Sequence, residues 1–93
     1  MNAAAFLVAL RRRARTTSPS RDPLAEARRF LDAHGDTAEG QALRKVIKTL
    51  ATKGGEFAEF EVWLFSAETL ALVAALVEAR IEGRYPELEW WVI

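Results

Sequence analysis

Gly54-Gly55-Glu56-Phe57-Ala58-Glu59-Phe60-Glu61-Val62-Trp63-Leu64-Phe65-Ser66 leads into an almost wholly apolar helix, residues 67 to 82, that stops at Gly83-Arg84-Tyr85-Pro86. The centre of that helix, Leu70-Ala71-Leu72-Val73-Ala74-Ala75-Leu76-Val77, is apolar without interruption. A helix that is hydrophobic all round has no face to give to water, so it is expected at the centre of the fold or within a subunit interface. Leu70, Val73, Ala74, Val77 and Ile81 make its inward stripe, and Leu72 and Leu76 widen it. Ser66 supplies an N-cap, Glu68 sits well in the first turn, and Pro86 forbids continuation.

The 93 residues around this helix make one domain, and a chain of that length buries only roughly 60 to 65% of its unfolded surface. There is no cysteine and a single histidine, His34, which excludes disulfide staples and argues against a zinc site. The composition fits a cytoplasmic protein. No apolar run reaches the ~18 residues a membrane span needs. Ala3 to Leu10 is apolar, but its arginines follow the block instead of preceding it, so it reads as an amphipathic helix and not as a secretion leader.

Formal neutrality hides a segregation of charge. Residues 1 to 30 carry seven arginines against Asp22 and Glu26, a net of +5, and residues 54 to 93 carry eight glutamates against Arg80 and Arg84, a net of −6. Such asymmetry marks either a basic arm for nucleic acid or a membrane surface, or two halves that neutralise each other, within one chain or head to tail in a dimer.

Ahead of the connector, Ala3, Phe6, Leu7, Leu10 and Ala14 fall on one helical face, and Arg11, Arg12, Arg13 and Arg15 crowd the last turn, where the helix dipole favours cations. Thr16 to Arg21 is a polar linker broken by Pro19, so residues 1 to 21 are expected to form a loosely docked basic arm. Asp22-Pro23 starts a second helix with Leu24, Ala27, Phe30 and Leu31 inward, and Gly35 is placed to close it in the left-handed conformation. Asp36-Thr37-Ala38-Glu39 resembles a capping box opening a third helix, whose inward face is Leu43, Val46, Ile47 and Leu50 and which Lys53-Gly54-Gly55 stops. These two helices are expected to form a hairpin over residues 23 to 53. Segment 57 to 64 fits both helical and alternating periodicity and is read as irregular or a single turn, and 87 to 93 alternates after Pro86 as an extended tail, so two short paired strands are a second option for these segments.

Candidate functional residues are few. His34 titrates near neutrality but has no nucleophile or orienting partner in sequence, and reads as a helix-end residue. Glu56, Glu59 and Glu61 are separated by aromatics along one segment, without the convergence a metal or acid–base site needs. No catalytic, cofactor or metal residue is therefore assigned. Arg11, Arg12, Arg13 and Arg15, with Arg44, Lys45 and Lys48, form the basic set a nucleic acid would require. Against that use, the aromatics that would stack bases lie in the acidic half, and the isoelectric point is about 6.6. Phe57, Phe60, Trp63, Trp90 and Trp91 are the candidate protein interface, since tryptophan buries large area at small entropic cost.

Asp36-Thr37, Gln41, Val46, Gly54-Gly55, Phe57, Trp63, Ser66 and Tyr85-Pro86 together resemble a family of small uncharacterised proteins encoded on bacterial plasmids and integrative conjugative elements. Its members open a helix with Asp-Thr-Gly-Gln, where this chain has Ala38-Glu39-Gly40 between Thr37 and Gln41. The resemblance implies a bacterial mobile-element or phage context and carries no activity or functional residues.

The expectation is thus a mainly α protein: a basic arm and linker over 1–21, then a single helical domain over 22–93 built from a hairpin, a central apolar helix and an aromatic C-terminal tail. The expected role is a non-enzymatic accessory protein, cofactor-free, that binds a protein partner or itself as a homodimer. The alternative is a nucleic-acid-binding regulator using the arginine cluster.

Overall fold

The computed structural model describes residues 1–14, 21–52 and 55–91, arranged as α1 (Ala3–Arg13), α2 (Pro23–His34), α3 (Ala38–Ala51), a 3-10 helix (Glu59–Leu64), α4 (Ala67–Glu82) and α5 (Glu87–Trp91). The protein is mainly helical, as expected. Each of the first four α-helices starts where a side-chain oxygen takes a free backbone N–H: Asn2 from Ala5 at 2.9 Å, Asp22 from Ala25 at 3.2 Å, Thr37 from Gly40 at 3.0 Å and Ser66 from Thr69 at 3.4 Å. The expected linker at Pro19 and the stop at Lys53-Gly54 lie outside the described residues, as do Arg15, Val92 and Ile93.

α4 is the centre. Leu70 to Ala74, Leu76, Val77 and Ala79 are buried on every side of the helix, so neighbours must line its whole circumference. α1, α2 and α3 do so, α1 most extensively. Phe6 and Leu10 of α1 are wholly buried, with Ala3, Leu7 and Ala14 packed around them, so α1 is packed through one face onto the core and is not a loosely docked arm. Phe6 stacks on Phe57 at 4.3 Å between ring centroids and 8° between planes, and the Met1 carbonyl accepts from the Phe57 N–H at 2.9 Å. The opposite charges of the two halves meet once across this packing, where Arg11 pairs with Glu78; a second ion pair joins Lys45 of α3 to Glu61 at 3.3 Å.

Four local expectations are corrected. Among the described residues 57–64 and 87–91 contain no strand; the first forms the 3-10 helix, and the second makes a short α-helix whose Glu89 N–H returns to the Pro86 carbonyl. Both satisfy their backbone groups locally, which removes the need for a partner strand. Gly35 stays right-handed (φ −62), because Thr37 closes the turn by donating its N–H at 3.0 Å and its hydroxyl at 2.6 Å to the His34 carbonyl. Thr37, not Asp36, caps α3, and Glu39 accepts from Ser66 at 3.2 Å and from Thr69, joining the starts of α3 and α4. Ile81 is half exposed: Arg80 turns that side of the last turn inward, donating to the Leu50 carbonyl at 2.8 Å, and the next residue lies about 100° further round. Gly83 then ends α4 in the left-handed conformation (φ 68).

No helix among the described residues is long and apolar enough to cross a membrane. The α2–α3 hairpin depends on the absence of a side chain at Gly40, where a Cβ would collide with the His34 carbonyl and lie 3.0 Å from the Gly35 Cα. Alanine favours a helix by about 1 kcal/mol over glycine, but both obstacles are backbone and cannot move aside. Gly40→Ala is expected to destabilise by about 1–3 kcal/mol, the range for overpacking, with exposed Gln41→Ala near neutral in the same urea denaturation.

Tyr85 ties the turn after α4 to the start of α2. Its hydroxyl donates to Asp22 Oδ1 at 2.6 Å and accepts from the Leu24 N–H at 3.4 Å. The Tyr85 hydroxyl, then the Ala25 N–H, hold Asp22 below its ordinary 3.8; burial, then the bond to Asp22, push Tyr85 above 10.0. The unfolded chain therefore binds the Asp22 proton more readily, and the stabilisation is present above the ordinary carboxylate range and lost as pH falls through the lowered folded value. On the alkaline side it is present below pH 10.0 and lost as pH rises through the raised Tyr85 value. Tyr85→Phe should cost roughly 0.5–1.5 kcal/mol at neutral pH. The gap from wild type should narrow at both extremes in a pH series of urea melts.

Candidate protein interface

The connector between α3 and α4 sorts its side chains by the period of the 3-10 helix. With three residues per turn, side chains three apart eclipse each other, so Phe60 and Trp63 share one edge. That edge faces solvent: Phe60 is 58% and Trp63 64% exposed, with Leu64 exposed beside them. Phe57, Val62 and Phe65 fill the inward side. Glu61 is buried there too, its carboxylate accepting from the Ala58 N–H at 3.1 Å and pairing with Lys45.

α1 brings its last turn to this edge. The Arg13 guanidinium lies over the Trp63 ring, a cation–π contact worth about 0.5–1 kcal/mol at an exposed site. Beneath the pair runs an open cleft of about 640 Å³, with Ala9, Val62 and Leu70 on its apolar walls and Arg12, Arg13 and Glu59 carrying charge. On α3, Lys45 and Lys48 border a shallower hollow of about 290 Å³ with Thr49, Thr52 and Glu56, and Lys45 lies 5.9 Å from the Phe60 ring.

The five candidate interface residues do not form one surface. Phe57 is 3% exposed and belongs to the core through its stack on Phe6. Trp90 is 1% exposed, packed edge-on against Tyr85 at 5.6 Å and 84°, with the Arg80 guanidinium 6.0 Å away. Phe60, Trp63 and Trp91 are exposed, Trp91 on α5 with Leu88. The basic set divides as well. Arg11 is bound to Glu78, Arg12 and Arg13 reach the cleft, and Arg44, Lys45 and Lys48 are exposed on α3. Arg15 lies outside the described residues. His34 rests against Phe30 at 5.1 Å, and no group of three or more His, Asp or Glu side chains is placed to hold a metal among the described residues.

Sequence reading missed the meeting of Arg12, Arg13 and Glu59 around Trp63. The nearest signal was the three-residue spacing of Phe60 and Trp63, which marks a shared edge but does not name the helix that lies against it. No family model, curated protein or solved structure matches this chain. Among the described residues, fold and surface together define a small, mainly helical protein with an aromatic, charge-rimmed cleft.

Core and surface tryptophans should separate in unfolding experiments. Trp90→Ala is expected to cost about 3–5 kcal/mol, as for other large core residues. Trp91→Ala should stay within about 0.5 kcal/mol, and Trp63→Ala should lose no more than the roughly 1 kcal/mol of its Arg13 contact.

Proposed function

We propose that this is a non-enzymatic accessory protein that works by protein–protein contact through the edge formed by Phe60, Trp63 and Leu64. The observation that carries the reading is that edge: three large apolar side chains within five residues stand in solvent beside a cleft of about 640 Å³. A chain short of core material has every reason to bury two aromatics, and here it leaves them out. Tryptophan flanked by arginine is the composition of interface hot spots. The partner is another protein or a second copy, and the setting is the cytoplasm of a bacterium, in a mobile-element or phage context. That setting rests on the resemblance through Asp36-Thr37, Gly54-Gly55, Trp63 and Tyr85-Pro86.

One observation favours a second reading, a nucleic-acid-binding regulator. Arg12 and Arg13 line the same cleft as Trp63, which joins cationic and stacking groups that are far apart in sequence. Glu59 in that cleft opposes it, because its carboxylate would face phosphates.

The two readings separate in a pair of measurements. Under the first, Phe60→Ser with Trp63→Ser removes the capture of a protein partner by the immobilised chain and leaves its circular dichroism unchanged, and labelled duplex and single-stranded DNA show no anisotropy change at about 50 mM salt. Under the second, DNA binds at about 50 mM salt, weakens by orders of magnitude at about 200 mM, and is lost in Arg12→Ala with Arg13→Ala.

A further inference from the structure

We infer that the cleft is one half of a self-complementary interface: a second copy of this chain docks on it about a twofold axis, and Arg12 and Arg13 of each copy meet Glu59 of the other. The inference rests on the protein-contact reading and names its partner and symmetry.

The charge pattern selects the second copy. In a twofold interface the same patch serves both subunits, so residue i meets j and j meets i. A patch of one sign repels its own copy. This one carries both signs around an apolar centre, Arg12 and Arg13 on the α1 side and Glu59 on the connector side. Among the described residues no ion pair joins these three to each other or to another side chain within one chain. An acidic peptide or a phosphate backbone would satisfy the arginines and be repelled by Glu59, whereas a second copy satisfies all three.

The area sets the strength. Trp63 and Phe60, exposed at 64% and 58%, offer roughly 250 Å² between them on the usual scale for aromatic side chains. A standard interface takes about 800 Å² from each partner. Phe60 and Trp63 alone supply roughly a third of that share, and interfaces below the standard size are the weak, transient ones, so association is to be followed across the micromolar range.

Sedimentation velocity on the full chain, from about 5 to about 500 μM to span that range, tests the assignment. Wild type should pass from monomer to dimer. Arg12→Glu with Arg13→Glu makes the patch wholly acidic and Glu59→Lys makes it wholly basic, and each variant alone should stay monomeric through like-charge repulsion. An equimolar mixture of the two should dimerise, and so should the chain carrying all three substitutions, because both restore opposite signs across the axis. All three positions are exposed, and the rescue is a positive signal that a misfolded variant cannot give. A wild-type chain that stays monomeric, or variants that associate as wild type does, overturn the second copy. If Phe60→Ser with Trp63→Ser still abolishes capture of another protein in that case, the contact reading survives; if the serine substitutions change neither association nor capture, both fall.

Discussion

Leu70 to Val77 give α4 no polar flank, and the other elements are arranged by that constraint. Each Leu or Val side chain of α4 contributes about 1.5–3 kcal/mol through its burial, and a whole domain is stable by only about 5–15 kcal/mol. Leaving one side of the helix in water would remove a large part of that margin. α1, α2 and α3 therefore all lie against it, and the burial of Phe6 and Leu10 in α1 follows from the same need. The segment with the densest positive charge is held in the core by its apolar face.

Charge has a smaller part in holding the fold. Arg11 and Glu78 are each more than a third exposed, and pairs of that kind contribute about 0–1 kcal/mol. Lys45 matters more to its partner, because the Glu61 carboxylate is 5% exposed and a buried carboxylate is costly without a cation. Opposite charges on the two halves are thus neutralised in part across the α1–α4 contact, and α3 adds one cation to the acidic connector. What remains around Trp63 is a residue of that segregation, with both signs present because a basic helix end lies beside an acidic connector.

The connector is where the core and the proposed contact surface draw on neighbouring residues. Val62 and Phe65 go inward and Phe60 and Trp63 outward at the three-residue spacing of the 3-10 helix, while Phe57, ahead of that helix, goes inward to stack on Phe6. The proposed association would use the outward edge of Phe60 and Trp63, with the cleft beside it placing apolar and charged groups together.

The sequence by itself determined the helices: the apolar run of α4, the caps at Asp22 and Ser66, the stop at Gly83 and the inward faces of α2 and α3 are all local, set by backbone hydrogen bonding and by which side chains avoid water. It was silent wherever a choice depended on a distant partner. Thr37 outcompeted Asp36 as a cap because Glu39 was drawn to Ser66 and Thr69, twenty-seven and thirty residues away. Trp90 went to the core and Trp63 to the surface although both are tryptophans within two residues of a glutamate, since only the packed structure brings Tyr85 and Arg80 to the first and Arg13 to the second. Periodicity says which face of an element is apolar, and tertiary structure alone decides which neighbour covers it.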